Sequence, residues 1–346
     1  MLDIREQERR SSNFELLRIV AAMGVIMHHV ALRALRNPMP TYNEVVFLFL
    51  YIFFICDVDV FLMISGYFMA YAKKIDLKKP FEVVLQLLIL WIVMFCINLY
   101  TGGSEFNVES LILLMIPRDY FIVMYVALFL MAPYINLMLD SLTEKKFKLM
   151  LLVLFLLFPV WNSGIQVVEE IVGVSMPNAS TVSQSGNLGG RSIVNFVMCY
   201  ILGTAIRKKY ISFKKPVIVL LACAACNLLL YALGFGVSMN YMSPVTLVEA
   251  MAFVMLAEKL KLQSRIVNFI AKASLTVYIV HVPMVVSHID YIDFVGKPFI
   301  NMLAEYAAIV LAAYGVGVVM YYAYSYLTAT FRKKIGAKLS KIEISV

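Results

Sequence analysis

Arg18 and His29 stand eleven positions apart in the segment Asn13-Phe-Glu-Leu-Leu-Arg-Ile-Val-Ala-Ala-Met-Gly-Val-Ile-Met-His-His, which is otherwise almost wholly apolar. At about 100° per residue, eleven steps along a helix return to within roughly 20° of the same face. At about 1.5 Å per residue the two side chains lie roughly 16 Å apart along the axis. One stripe would then carry a guanidinium, which binds anions, at one end and an imidazole at the other. An imidazole titrates near neutral pH and serves as a general base or as a transient carrier of an acyl group. His28, turned by about 100° from His29, is the neighbouring candidate. Snorkelling of Arg18 to one interface, with both histidines at the opposite one, gives the same placement without chemistry.

Ionisable groups in hydrocarbon are costly, which makes the others inside apolar runs the next residues to weigh. Asp57 and Asp59 are two residues apart and so about 160° apart around a helix. They must face different neighbours, and one is expected to pair with Arg18 or a histidine. Tyr278 and His281, one turn apart in a later run, are placed to meet a substrate or to hydrogen-bond across helices. Lys73, Lys74, Lys78 and Lys79 cluster before the third apolar run, where they can hold a polyanion as point charges or simply mark the cytoplasmic side. Glu249 and Tyr125 stand in no motif. The five cysteines all lie in apolar runs, and Cys223 and Cys226 form a CxxC inside one of them. That context argues for helix packing, with no disulfide framework and no metal site expected.

The elements that must position these residues follow from composition. Of the chain, 62% is hydrophobic and 15% charged, against about 25% charged in a soluble domain. Apolar runs long enough to cross a hydrocarbon core recur at residues 14–32, 46–71, 80–100, 120–139, 147–164, 192–206, 216–235, 244–258, 268–288 and 302–330. The first holds Glu15 and Arg18 and is followed by further runs, so it reads as a retained helix and not a cleaved signal. Placing Arg5, Arg9 and Arg10 in the cytoplasm and alternating sides leaves only Arg33, Arg36, Arg118, Arg191 and Lys297 outside, so 25 of the 30 basic residues fall inside. The net charge of +8 is therefore a topogenic bias toward anionic lipid and calls for no nucleic-acid partner. The sequence thus predicts an all-α polytopic membrane protein of ten helices in the cell membrane. Both termini are expected in the cytoplasm, with no appended soluble domain. The stretch Ser163–Arg191, rich in Ser, Asn and Gly and carrying Glu169 and Glu170, is expected outside. It reads either as an acceptor-site lining or as a solvated loop with an interfacial helix near residues 165–174.

The Arg18, ten residues, His29 pattern resembles the hallmark of the acyltransferase-3 family of membrane O-acyltransferases. Further similarities follow in order: Asp59-Val-Phe-Leu-Met-Ile-Ser-Gly-Tyr-Phe, the stretch from Tyr120 to Asn136, Gly190-Arg-Ser to Arg207, and Ala273-Ser-Leu-Thr-Val-Tyr-Ile-Val-His-Val-Pro. Together they span nearly the whole chain. The chain departs from the family in the loop after the second run, Tyr71-Ala-Lys-Lys-Ile-Asp-Leu-Lys-Lys-Pro, which holds lysines where the family often carries arginines. The resemblance implies an acyl-CoA co-substrate, usually acetyl-CoA, on the cytoplasmic side, with no other cofactor. It implies as acceptor a hydroxyl of a cell-surface or lipid-linked glycan. It assigns catalysis to His29, with His28 adjacent, and donor orientation to Arg18. The lysines are left as further donor contacts, and Asp57, Asp59, Tyr278 and His281 as substrate contacts. A transporter or flippase for a lipid-linked glycan shares the helix count and the intramembrane charges, and would not need His29 as base or nucleophile.

Overall fold

A computed structural model describes residues 11–36, 39, 41–103, 105–284, 297–339, 342 and 344–345. In hydrocarbon each backbone N–H and C=O must be satisfied within its own segment, and the apolar runs accordingly fold as helices. In chain order they are α1 (Ser12–Ala34), α2 (Thr41–Phe53), α3 (Asp57–Met69), α4 (Lys78–Tyr100), α5 (Val108–Met115), α6 (Tyr120–Asp140), α7 (Glu144–Phe155) and α8 (Trp161–Val172). They continue as α9 (Ile193–Arg207), α10 (Pro216–Ala232), α11 (Pro244–Lys259), α12 (Arg265–Ala271), α13 (Ser274–Met284) and α14 (Phe299–Leu339). Two short strands, β1 (Lys74–Ile75) and β2 (Ile344–Ser345), pair antiparallel.

Among the described residues, seven stretches are long and apolar enough to cross a membrane: α1, α2 with α3, α4, α5 with α6, α7 with α8, the segment ending in α11, and α14. The pair α12 and α13, bent by 46°, would make an eighth. The other two predicted spans are α9 and α10, at 15 and 17 residues short of that length. α9 is buried from Asn195 to Ile206 except at Val197, so protein surrounds it and hydrocarbon thickness does not set its length. The predicted runs 120–139 and 147–164 lie within longer helical stretches, Val108–Asp140 and Glu144–Val172. α5 leads into α6, and α7 runs through a π-turn at Leu156–Val160 into α8, which also contains most of the helix expected near residues 165–174. Pro159 sits in that turn and lacks the N–H a regular helix would need there. Residues 285–288 of the predicted ninth span, and Arg5, Arg9, Arg10 and Lys341, lie outside the described residues.

Contacts between loops sort them into two ends. At one end Asn13 donates to the Ala257 carbonyl (2.8 Å) and Lys259 reaches the carbonyls of Phe213 and Lys214 (2.9 and 2.8 Å). There Lys208 pairs with Asp140 (2.6 Å), and β1 pairs with β2. At the other end Asn187 and Asn240 both donate to Gln166, and Glu170 accepts from the Gly236 amide. The start of α1 and the end of α14 share the first end, where Arg18 and Arg332 line one cavity.

α3 lies at the centre, packed on α1, α9 and α11. Its last carbonyls need partners because no further turn of helix supplies them. Asn136 of α6 does this: its Nδ2 donates to the carbonyls of Met69 (2.7 Å) and Ala72 (3.0 Å), and its Oδ1 accepts from the Tyr200 hydroxyl (2.9 Å). Asn136→Leu keeps the branching of the side chain and removes its bonds, leaving the Ala72 carbonyl without its donor and the Met69 carbonyl with the Tyr200 hydroxyl alone, at 3.1 Å. Leaving a buried acceptor unpaired costs about 1–3 kcal/mol, so the purified variant is expected to unfold at a clearly lower temperature in detergent. An unchanged melting curve would show that the bonds do not hold α3.

Candidate active site

α1 is helical because its apolar positions recur around the axis and its first turn is bound to the chain around it, with Ser12 accepting from the Ser264 amide at 3.0 Å. Glu15 and Arg18, one turn apart, form an ion pair at 2.7 Å. The Arg18 guanidinium also lies 5.4 Å above the Phe68 ring. Both residues open onto a cavity of about 360 Å³ at the lysine-rich end of the bundle. Lys79, Lys272 and Arg332 join Arg18 in its wall, against the carboxylates of Glu15 and Glu82. Four cations facing two carboxylates leave the cavity an excess of positive charge, suited to a polyanion.

Arg332 is aimed by its own helix. Its Nη2 donates to Ser325 Oγ (2.9 Å) and its Nε to Thr328 Oγ1 (3.1 Å), and the guanidinium sits 5.3 Å over the Tyr324 ring. Deeper in, Gln86 donates to Thr276 Oγ1 at 2.5 Å, and Ser65 bonds the Tyr125 hydroxyl at 3.4 Å. Tyr278 forms part of the wall, and its hydroxyl donates to Asp119 at 3.4 Å.

Arg18 shares the cavity with Ser274, Leu275 and Tyr278, and farther along α1 His29 meets His281 of the same partner helix, the ring centres 5.1 Å apart. α1 and α13 thus run side by side in one direction, and the single stripe inferred from spacing faces α13 along its length. The His281 ring lies 5.8 Å from the Tyr278 ring. His281 Nδ1 is 2.6 Å from the Tyr278 carbonyl, which can only accept, so Nδ1 carries a proton, and in the neutral ring Nε2 has the lone pair. That Nε2 is buried and makes no hydrogen bond among the described residues.

His28 points elsewhere. It stacks on Tyr51 of α2 with ring centres 4.3 Å apart, and its Nδ1 donates to the Tyr51 carbonyl at 3.0 Å. His28 and His281 are buried, whereas His29 is partly accessible. The fields of Arg191 and Arg33 reach His29, so an anion formed beside it would meet positive charge.

The expectation that Asp57 or Asp59 pairs with Arg18 or a histidine needs correction. Arg18 finds its carboxylate in Glu15 on its own helix. The chain breaks at residues 54–56, which makes Asp57 and Asp59 first-turn residues of α3, where free backbone N–H groups favour negative charge. Asp59 accepts from Asn195 Nδ2 (2.9 Å) and from the Cys199 thiol (3.3 Å). Asp57 fills the space left by Gly24, where a Cβ would stand 1.7 Å from its Oδ2, and the field of Glu249 reaches it. Glu249 in turn accepts from Asn227 at 3.2 Å.

Of the four lysines, Lys79 alone contributes to the cavity wall; Lys74 belongs to β1, Lys78 packs against Gly336, and Lys73 is exposed. Lys272 and Arg332, read from sequence only as topogenic charge, are in the wall. The signal for Arg332 was its spacing from Thr328 and Tyr324, four and eight positions back on one helix face.

Residues 11–322 match a family described as an acyltransferase domain. No curated protein and no solved structure gives a match.

Proposed function

The chain belongs to this acyltransferase family and is a multi-pass membrane acyltransferase, and we propose that it carries an acyl group, acetyl in the simplest case, from acyl-CoA to a glycan hydroxyl. The observation that carries this reading is the two-ended use of α1. Arg18 faces a basic cavity at one end, and His29 stands beside His281 toward the other.

The basic cavity suits the phosphates of a coenzyme A thioester, with Arg18, Lys79, Lys272 and Arg332 as their partners. Tyr278 stands at its deep wall, and beyond it the histidine pair would receive the thioester. His29 would take the proton of the acceptor hydroxyl as the oxygen attacks the thioester carbonyl. The C–S bond then breaks, and the imidazolium returns the proton to the departing thiolate. In a two-step version the imidazole nitrogen attacks first, the C–S bond breaks, and the thiolate leaves with the imidazole N–H proton; the acyl group rests on His29 until the hydroxyl oxygen displaces it and the hydroxyl proton returns to the freed imidazole. Arg191 and Arg33 supply positive potential for the oxyanion that either route forms. The excess of basic residues at the cavity end argues for that end being cytoplasmic, with both termini inside and the acceptor on the outer side of the cell membrane.

The test is expression in a strain lacking the gene, with ester-linked acyl groups on the purified surface polysaccharide counted by proton NMR. We expect esters with the protein present and none without it. Unchanged acylation accompanied by a fall in exported polysaccharide would overturn the acyl-transfer reading in favour of transport.

A further inference from the structure

At the end of the bundle opposite the basic cavity lies a second cavity, of about 400 Å³, that the reaction as drawn does not use. We propose that it binds an uncharged pyranose of the acceptor glycan, next to the sugar that receives the acyl group. This rests on the acceptor reading above and names the chemistry of the acceptor.

The cavity is built by α8 and the strap that follows it. Its polar wall consists of Asn162, Gln166, Glu169, Glu170 and Asn187 with serine hydroxyls, and Ile165, Pro177 and Leu188 add apolar faces. Hydroxyl-rich ligands with C–H faces match such a surface, and the volume falls within the usual range for a ligand site of about 300–1,000 Å³.

The wall is already organised. Glu169 accepts from the Met176 amide, and Glu170 Oε1 accepts from Gly236 N and Gln166 Nε2, both at 3.1 Å. Gln166 Oε1 accepts from Asn187 Nδ2 (3.3 Å) and Asn240 Nδ2 (3.0 Å). Asn162 ties the strap to α8 through Thr181 and Ser180 (2.7 and 2.9 Å). A carboxylate has about four lone-pair sites, so both glutamates keep acceptor capacity for hydroxyl donors while their positions are fixed.

Charge selects the class of sugar. Two carboxylates are in the wall, and no lysine or arginine is among the lining residues. A uronate, a sialic acid or a phosphate would face like charge at close range.

One segment of chain serves both the cavity and the surroundings of His29. Gly189 forms part of its wall, and Arg191, whose field reaches His29, is two residues farther along. This short link is pinned in place: Tyr241 N donates to the Gly189 carbonyl at 3.1 Å. At Gly190, which has φ +82°, a Cβ would stand 2.4 Å from Met242 N. On this proposal, the next residue of a glycan seated in the cavity extends along that segment toward His29.

The sequence holds two tryptophans, and Trp161 at the start of α8 donates its indole N–H to the Ala179 carbonyl of the strap at 2.8 Å. In a Trp91→Phe background its fluorescence reports the cavity. The protein in lipid nanodiscs is titrated with maltotriose, chitotriose and trigalacturonate. A saturable change with at least one neutral trisaccharide is expected, with trigalacturonate at least about tenfold weaker. Ser185→Phe and Ser175→Phe, which fill the cavity from exposed positions, should each weaken neutral binding by about tenfold or more, and Gln184→Phe, which puts the same bulk on an exposed position outside the lining, should bind like the parent. The proposal is overturned by equal or tighter binding of trigalacturonate, by no response to either neutral probe, or by full binding in both filled variants.

Ester counts on the polysaccharide separate this failure from that of the parent reading. Full acylation by both filled variants rejects the cavity and leaves acyl transfer standing. Neutral-sugar binding with no ester formed by the wild type rejects acyl transfer and leaves the cavity standing.

Discussion

His29→Ala is expected to lower the ester-linked acyl content of the surface polysaccharide by about 10²–10⁴-fold in initial rate, the usual contribution of a positioned general base. The amount of protein in the membrane and the yield of polysaccharide should stay at wild-type level. The size of the effect follows from placement. Of the three clustered imidazoles, His29 is the one left partly accessible, on the face of α1 that also carries Arg18 into the basic cavity. The other two separate the roles. His28 stacks on Tyr51 and bonds its carbonyl, so His28→Ala should lower thermal stability more than rate. His281 offers an unbonded Nε2 beside His29, so His281→Ala should give a loss of rate intermediate between the two. Rates of acyl transfer to exogenous acceptor, measured on equal amounts of folded protein, give the ranking. Wild-type transfer by His29→Ala, or a larger loss in His28→Ala with its fold intact, would remove His29 from the reaction.

Spacing made the axis of the site legible. The positions of Arg18 and His29 fixed one stripe of one helix, and the structure packs that stripe against α13. The angle between Asp57 and Asp59 likewise separates them between Gly24 on one side and Asn195 with Cys199 on the other. What spacing could not supply is the partner of each group, because partners come from helices distant in sequence. Arg18 could as well have met an aspartate of α3, but Asp57 lies against Gly24, farther along α1, and Asp59 faces Asn195 and Cys199. The basic cavity was read too locally. A run of four lysines drew attention to one loop, whereas the wall takes a single lysine from that loop, Lys272 from the break in the bent pair and Arg332 from the far end of the chain. Charges gathered one at a time from separate helices leave no run to notice. The same is true of Asn136, which in sequence merely ends an apolar motif and in the structure terminates α3.

Gly66 and Gly203 were also silent in the sequence, and substitutions there are expected to be the most damaging to the fold. They form a reciprocal contact: a Cβ on Gly66 would stand 2.1 Å from the Tyr200 carbonyl oxygen, and one on Gly203 would stand 2.1 Å from that of Met63. Small residues let membrane helices approach closely where no hydrophobic driving force exists between them. Because the obstructing atoms are backbone, no side-chain rotation relieves the clash, and α3 and α9 must move apart. Separation would also break the bond from Thr204 Oγ1 to the Gly66 carbonyl (3.2 Å) and disturb the Tyr200 hydroxyl that bonds Asn136. Overpacking alone costs about 1–3 kcal/mol and sometimes more. Gly66→Ala and Gly203→Ala are therefore each expected to lower the unfolding temperature sharply, and Gly66→Leu to leave almost no monodisperse protein on size exclusion in mild detergent. Activity should fall with them, since α3 carries Phe61 and Ser65 into the wall of the basic cavity. Gly315 is the control: a Cβ there meets nothing within 4 Å, and alanine is the better helix former by about 1 kcal/mol. Gly315→Ala should melt at or above the parent temperature. If Gly66→Ala and Gly203→Ala match it, the close approach of α3 and α9 is not what holds this bundle together.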